Sequence, residues 1–232
     1  MTDLEERRAA VAELDAGVSA CRACALGSAR TRAVPGEGPV DAEIMFIGEA
    51  PGYYEDQQGR PFVGAAGQFL EQLLASISLE RTDVFIANII KCRPPGNRDP
   101  LPEEIGACSG WLSRQLAIVR PKLIVTLGRY SLARFLPGTS ISKVHGQARK
   151  VNGPSTLRQS SGQAGSGQAV WVVPMYHPAA ALHQGSLRRT IEDDFRKIPA
   201  LLEQARREPE PSEAQPALAV AGAPAAAQMK LF

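Results

Sequence analysis

The amino-acid sequence predicts a single α/β domain, a three-layer αβα sandwich around a central, mainly parallel four-stranded sheet. Three observations carry this. Short apolar runs rich in Ile, Val, Leu and Phe recur along the chain, separated by stretches in which apolar residues fall at helical spacing. That alternation builds parallel sheets with helices on both faces. The turns that follow the apolar runs are dense in Gly, Pro and polar side chains, and open α/β sheets bind their ligands at such strand carboxyl ends. Finally, 232 residues with 44% hydrophobic content are enough for one core of this kind plus tails.

Taken in order, residues 4–18 place Leu4, Val11, Leu14 and Val18 on one side of a helix. Residues 25–41 contain Pro35, Gly36, Gly38 and Pro39 and read as a loop. The first strand covers 42–47, with Ile44-Met45-Phe46-Ile47 at its centre, and a helix follows over 64–78. A second strand, 84–87, ends at Asn88. Residues 89–100 are basic and interrupted by Pro94, Pro95 and Pro100, which excludes a helix. A helix opens at Pro102-Glu103-Glu104, because proline and acids in a first turn suit the orphan N–H groups and the dipole. It ends before Pro121. Residues 123–128 form a third strand, with a short helix to Leu136. Ser142-Lys143-Val144-His145-Gly146 opens a polar segment. Residues 152–169, rich in Gly, Ser and Gln, read as a flexible insertion between strands. Residues 170–175 are a fourth strand, and a last helix spans 186–207. The Pro- and Ala-rich residues from 208 onward read as a disordered tail, so the domain is 1–207 and the tail 208–232.

No run approaches a membrane span, and the first six residues lack a basic start and an apolar segment. The expectation is a cytoplasmic protein with no membrane partner. Net charge is +2, but unevenly spread: residues 1–87 hold 7 Arg and 14 acidic residues, whereas residues 88–150 hold 11 Lys and Arg and 3 acidic residues. A basic middle attracts phosphates.

Two constellations carry chemistry. The first is the long turn Gly48-Glu49-Ala50-Pro51-Gly52-Tyr53-Tyr54-Glu55-Asp56, continuing to Gly59-Arg60-Pro61-Phe62-Val63-Gly64. It sets carboxylates and an aromatic ring at a strand end, and parallel pairing brings Asn88 and His177 to the same rim. The second is the cysteine set. The chain has four, Cys21, Cys24, Cys92 and Cys108, the first two as C-x2-C. A reducing compartment would not hold them as disulfides. Four thiolates suit a tetrahedral zinc ion or an iron–sulfur cluster, and spacing does not separate the two.

Together these residues resemble the family 4, iron–sulfur uracil-DNA glycosylases. The likeness rests on Gly48-Glu49-Ala50-Pro51-Gly52, Gly59-Arg60-Pro61-Phe62-Val63-Gly64, Asn88-Ile89-Ile90-Lys91-Cys92-Arg93-Pro94-Pro95, Ser142-Lys143-Val144 and His177-Pro178. It covers about residues 20–205. The chain departs from the pattern at His145, where many members have arginine, in the 152–169 insertion and in the tail. The resemblance implies a uracil-DNA glycosylase-like fold, a 4Fe–4S cluster on the four cysteines, uracil-containing DNA as substrate, and a monofunctional hydrolase that leaves an abasic site. It is expected to act as a monomer, on single- or double-stranded DNA.

The implied chemistry assigns roles. The base must leave the stack before it can be cut. Phe62 supplies a flat face for it, Ala50 and the Glu49 backbone line the pocket, and the Asn88 amide reads the edge of uracil against cytosine. His177 donates to uracil O2 as negative charge grows there. A carboxylate stabilises the oxocarbenium-like sugar and orients water; the resemblance favours Glu55, with Glu49 as its competitor and Asp56 as a brace for the loop. Residues 179–182 enter the minor groove, Leu182 filling the space the base vacates. Lys91, Arg93, Arg98, Lys143 and Lys150 are candidates for phosphate contacts.

Two other readings compete: a glycosylase of broader range on deaminated bases, and an iron–sulfur DNA-binding protein that does not cleave. Glu49 and Glu55 argue against the first, and the lack of histidine in 91–99 argues against a covalent uracil trap. Residues 228–232, Gln228-Met229-Lys230-Leu231-Phe232, resemble the motif that binds the bacterial sliding clamp. Gln228 would hydrogen-bond at one subsite, while Met229, Leu231 and Phe232 fill an apolar groove.

Overall fold

The structure is a computed structural model that describes residues 2–152 and 169–207. Most of the insertion and all of the tail, including Gln228, Met229, Leu231 and Phe232, lie outside the described residues. Helix α1 (Asp3–Ala20) is closed at its start by a capping box: Thr2 accepts from Glu5 N–H while the Glu5 carboxylate accepts from Thr2 N–H. The short helix α2 (Leu26–Ala29) precedes strand β1 (Ile44–Gly48), and α3 (Tyr53–Gln58) and α4 (Ala65–Ala75) follow it. Then come β2 (Phe85–Asn88), α5 (Pro102–Val119), β3 (Leu123–Leu127), α6 (Arg129–Phe135), α7 (Ile141–Val144), β4 (Arg149–Asn152), β5 (Ala169–Met175), α8 (Pro178–His183), α9 (Ser186–Phe195) and α10 (Ile198–Arg207).

The sheet order is β2-β1-β3-β5-β4. The four expected strands are the parallel ones, and each pairs in register with its neighbours: Gly48 opposes Asn88, Ile47 opposes Thr126, and Leu127 opposes Met175. The fold class stands as read, with one addition. A fifth strand, β4, pairs antiparallel on β5 at the edge. The polar stretch around residue 149 carries no apolar run to announce it, and an edge strand needs none because one side faces solvent.

Alternate side chains of β1 feed two cores. Ile44 and Phe46 join Phe69, Leu70, Leu73, Phe195 and Ile198 on the α4, α9 and α10 side. Met45 and Ile47 join Leu112, Leu116 and Val119 of α5 on the other. The three layers follow from that period of two. The single helix expected over 186–207 is two, broken at Arg196 and Lys197. Pro199 explains the break: it lacks an N–H for helical bonding and fits only a first turn. Among the described residues no helix is long and apolar enough to cross a membrane.

Candidate active site

At the carboxyl ends of β1, β2 and β5 the chain forms a cleft of about 380 Å³, lined by Glu49, Ala50, Gly52, Glu55, Phe62, Asn88, Arg98, His177 and His183 among others. Every residue predicted from the sequence to hold the base or act on the bond therefore opens onto one cavity. Local geometry explains how.

Asn88 ends β2 beside Gly48 and is 2% exposed. A Cβ built on Gly48 would lie 2.4 Å from Asn88 Oδ1 and 2.7 Å from Phe62 Cζ, so only glycine lets the two side chains close on the strand end. Phe62 adopts φ +52°, a costly conformation for an aromatic residue that persists only where its surroundings impose it. Arg81 imposes it by donating to the carbonyls of Phe62 at 2.8 Å and Pro61 at 2.6 Å while pairing with Glu37. Behind Phe62, α4 approaches so closely that a Cβ on Gly67 would overlap the Phe62 carbonyl at 1.9 Å.

His177 stacks on Phe62, the ring centroids 5.5 Å apart and 24° from parallel. Its Nδ1 accepts the Ala179 N–H at 3.1 Å, so the neutral ring carries its proton on Nε2. Burial holds the His177 pKa down to about 4, with the Glu55 carboxylate opposing. The ring is neutral at physiological pH.

The two carboxylates differ. Glu55, on α3, accepts the amides of Val63 and Gly64 through Oε1, both at 2.9 Å. It braces the loop that carries Phe62, and Oε2 has no hydrogen-bond partner among the described residues. The Glu49 carboxylate has none among them. Burial, reinforced by the Asp99 carboxylate and opposed by Arg129, raises its pKa to about 7. Asp56, 3% exposed, accepts Thr31 N–H, the bracing role read from the sequence. Among the described residues, one fully buried side-chain acceptor lining the cleft is unpaired: Asn88 Oδ1.

The basic candidates separate. Lys91 is 1% exposed, which rules it out as a phosphate contact. Its ammonium donates to Asn88 O at 2.8 Å and to Gln115 Oε1 at 2.5 Å, and Gln115 in turn donates to Pro35 O. Lys91 is thus a brace beneath Asn88, and its neighbours in sequence gave no sign that Gln115 would meet it. Arg98 lines the cleft but forms a two-pronged pair with Glu104. Arg93 lies over the Tyr53 ring, its Nε held by Asn97 Oδ1 at 2.7 Å. Lys143 on α7 and Lys150 on β4 are exposed, outside the cleft lining, and Leu182 on α8 is 49% exposed. Arg81 was not legible as a site residue, since its partner Glu37 lies far off in sequence.

A second cavity is ringed by Cys21, Cys24, Cys92 and Cys108 together with Val18, Arg30, Lys91 and Trp111. Lys91 N–H points at Cys108 Sγ at 3.3 Å and Arg30 donates to Cys92 Sγ at 2.8 Å. Burial raises the pKa of Cys92, and that of Cys108 to about 11, so a bound metal would be needed to ionise them. Among the described residues no three His, Cys, Asp or Glu side chains are arranged around a single ion; the thiols surround a space. A cubane cluster, ligated by one thiolate at each of four corners, fits that donor set and its N–H contacts.

Residues 35–202 match the family model of the uracil DNA glycosylase superfamily. The chain is 50% identical over 184 residues to a type-4 uracil-DNA glycosylase of Sulfurisphaera tokodaii, covering 78% of this chain and 80% of that one. It is 47% identical to one of Archaeoglobus fulgidus (78% and 87% covered) and 40% identical to one of Thermotoga maritima (81% and 92%). A cleft at the strand ends, four cysteines around one cavity and identities of this size agree: the chain belongs to the uracil DNA glycosylase superfamily and, within it, to the type-4 uracil-DNA glycosylases.

Proposed function

We propose that the chain removes uracil from DNA by hydrolysing its N-glycosidic bond, leaving an abasic site. One observation carries this to the site: the unpaired, buried Oδ1 of Asn88 in a cleft walled by Phe62 and His177. An orphaned buried acceptor costs free energy until a ligand supplies a donor. Uracil supplies one at N3–H, and its O4 accepts from the Asn88 amide nitrogen. Cytosine has no N3–H and presents an amino group instead of O4, so it leaves both groups unpaired.

With the base extruded against Phe62, the bond from C1′ to N1 breaks and its electron pair moves onto uracil. His177 donates a hydrogen bond from Nε2–H to O2, where the charge develops, and as a neutral ring it keeps that proton throughout. The Glu55 carboxylate, fixed by two amides, stabilises the cationic sugar. Glu49, with a pKa near neutrality, is suited to take the proton of the water that attacks C1′. Cys21, Cys24, Cys92 and Cys108 would hold a 4Fe–4S cluster whose role here is to tie the chain near residue 21 to the segment behind Asn88. Arg93, Arg98 and Lys143 meet phosphates, and Leu182 occupies the vacated stack. Residues 228–232 would engage a sliding clamp, keeping the enzyme near newly made DNA at high effective concentration.

The test is incubation of the full chain with uracil- and hypoxanthine-containing oligonucleotides followed by alkali. Strand breaks at uracil alone support the proposal. Breaks at both bases support the broader glycosylase, and binding without breaks supports a non-cleaving DNA-binding protein.

A further inference from the structure

Tyr53 and Tyr54 lie in the chain between Gly52 and Glu55, which line the cleft, and are 52% and 59% exposed. They form the first turn of α3. Their rings meet edge to face, centroids 5.4 Å apart at 81°, so they present faces in two directions. The Arg93 guanidinium covers one face of Tyr53 at 5.1 Å. Neither hydroxyl has a hydrogen-bond partner among the described residues. Two large aromatic side chains left open to water contribute little to this fold, because their apolar area is not buried. Packed at right angles and backed by a cation, they are held in place before anything binds.

We propose that the Tyr53–Tyr54 pair is a stacking platform for an unpaired nucleobase next to the extruded uracil, and that it gives this enzyme an advantage on single-stranded DNA. The inference rests on the glycosylase reading above. Charge complementarity fixes the occupant: the Arg93 guanidinium over the Tyr53 ring favours a polyanion, and a nucleic-acid strand alone combines regularly spaced negative charge with flat faces. Base–aromatic stacking is insensitive to sequence but needs a free base face. In a duplex the flanking bases are paired and stacked on each other, and only in a single strand can one swing onto Tyr54 at no cost in pairing.

The experiment measures Tyr54→Ala, Tyr53→Ala and Tyr54→Phe against single- and double-stranded uracil oligonucleotides, together with a single-stranded substrate bearing an abasic spacer in place of each flanking base. Tyr54→Ala should raise KM on the single strand about tenfold more than on the duplex, the range of one lost base stack. Tyr54→Phe should restore it. The spacer on one side of uracil should penalise the wild type by a similar factor and Tyr54→Ala hardly at all. Equal losses on single strand and duplex, or additive effects of spacer and mutation, would overturn the platform. Binding of a uracil-free single strand, followed by fluorescence anisotropy, tests it separately from catalysis. A wild type that binds this strand through Tyr54 but releases no uracil from the uracil-containing oligonucleotides would sink the glycosylase reading and leave the platform standing.

Discussion

Lys91→Met isolates the brace beneath Asn88, the residue proposed to read uracil. Methionine keeps most of the buried stem and removes the ammonium, which bonds Asn88 O at 2.8 Å and Gln115 Oε1 at 2.5 Å. Hydrogen bonds from a charged group are worth roughly 1.5–3 kcal/mol each, so about 3–6 kcal/mol is lost. Against this, burial of the ammonium is unfavourable: it brings the Lys91 pKa from 10.5 down to about 8, and relieving it returns roughly 3 kcal/mol. The net expectation is a destabilisation of about 0–3 kcal/mol, or up to roughly 10 °C in melting temperature for a domain of this size. The functional effect is separate. Freed from Lys91, the Asn88 carbonyl no longer holds its peptide, and the side-chain amide proposed to read uracil loses its fixed position. Inhibition by free uracil should weaken by about tenfold, and KM on uracil-containing DNA should rise with it. Gln115→Leu leaves the bond to Asn88 in place and should cost stability without an equal loss of uracil affinity. Iron content and visible absorbance establish that each variant keeps the same complement of metal. A Lys91→Met protein inhibited by uracil as strongly as the wild type would refute the assignment, whatever its melting temperature.

Other perturbations address the remaining groups. The rate should fall as pH drops through about 7, the raised pKa of Glu49, while His177, titrating near 4, adds no inflection at neutral pH; a flat profile from pH 5.5 to 8 would exclude Glu49 as the base. Because the folded pKa of Glu49 lies above its ordinary value of 4.5, its contribution to stability is fully present below that value and is lost as pH rises through about 7. Glu49→Gln should therefore melt higher than the wild type at pH 8 and gain less at pH 4, while losing activity, and calorimetry at the two pH values checks the sign. Asn88→Asp replaces a donor with an acceptor facing O4 and should cut uracil excision by one to three orders of magnitude, the scale of one or two unpaired buried groups, while narrowing the ratio of uracil to cytosine excision in single-turnover assays. Cys108→Ser should lower bound iron and melting temperature together; iron retained in full, as measured by a colorimetric assay, would count against a four-cysteine cluster.

Much of this architecture was legible in local sequence. Four apolar runs dictated four parallel strands, because a strand covered on both faces must be apolar at every position. The glycine- and proline-rich turns after them marked the strand ends, and pairing in register, Gly48 with Asn88, carried Glu49, Phe62, Asn88 and His177 to one rim. The cysteines were legible as a set because their chemistry is scarce. What tertiary structure alone decided has a common cause: each case turns on a partner distant in sequence. Lys91 sits in a basic stretch and reads as a surface charge, yet Gln115 of α5 receives it inside the fold. Glu49 and Glu55 are alike as letters. One is left without a hydrogen bond and driven toward neutrality by burial; the other is clamped by the amides of Val63 and Gly64. The antiparallel β4 exists only because β5 offers it an edge. Phe62 takes a left-handed backbone because Arg81, nineteen residues on, holds its carbonyl. Propensity and periodicity are local quantities, whereas the charge state of a carboxylate and the burial of an ammonium depend on which segments the fold brings within a few ångströms.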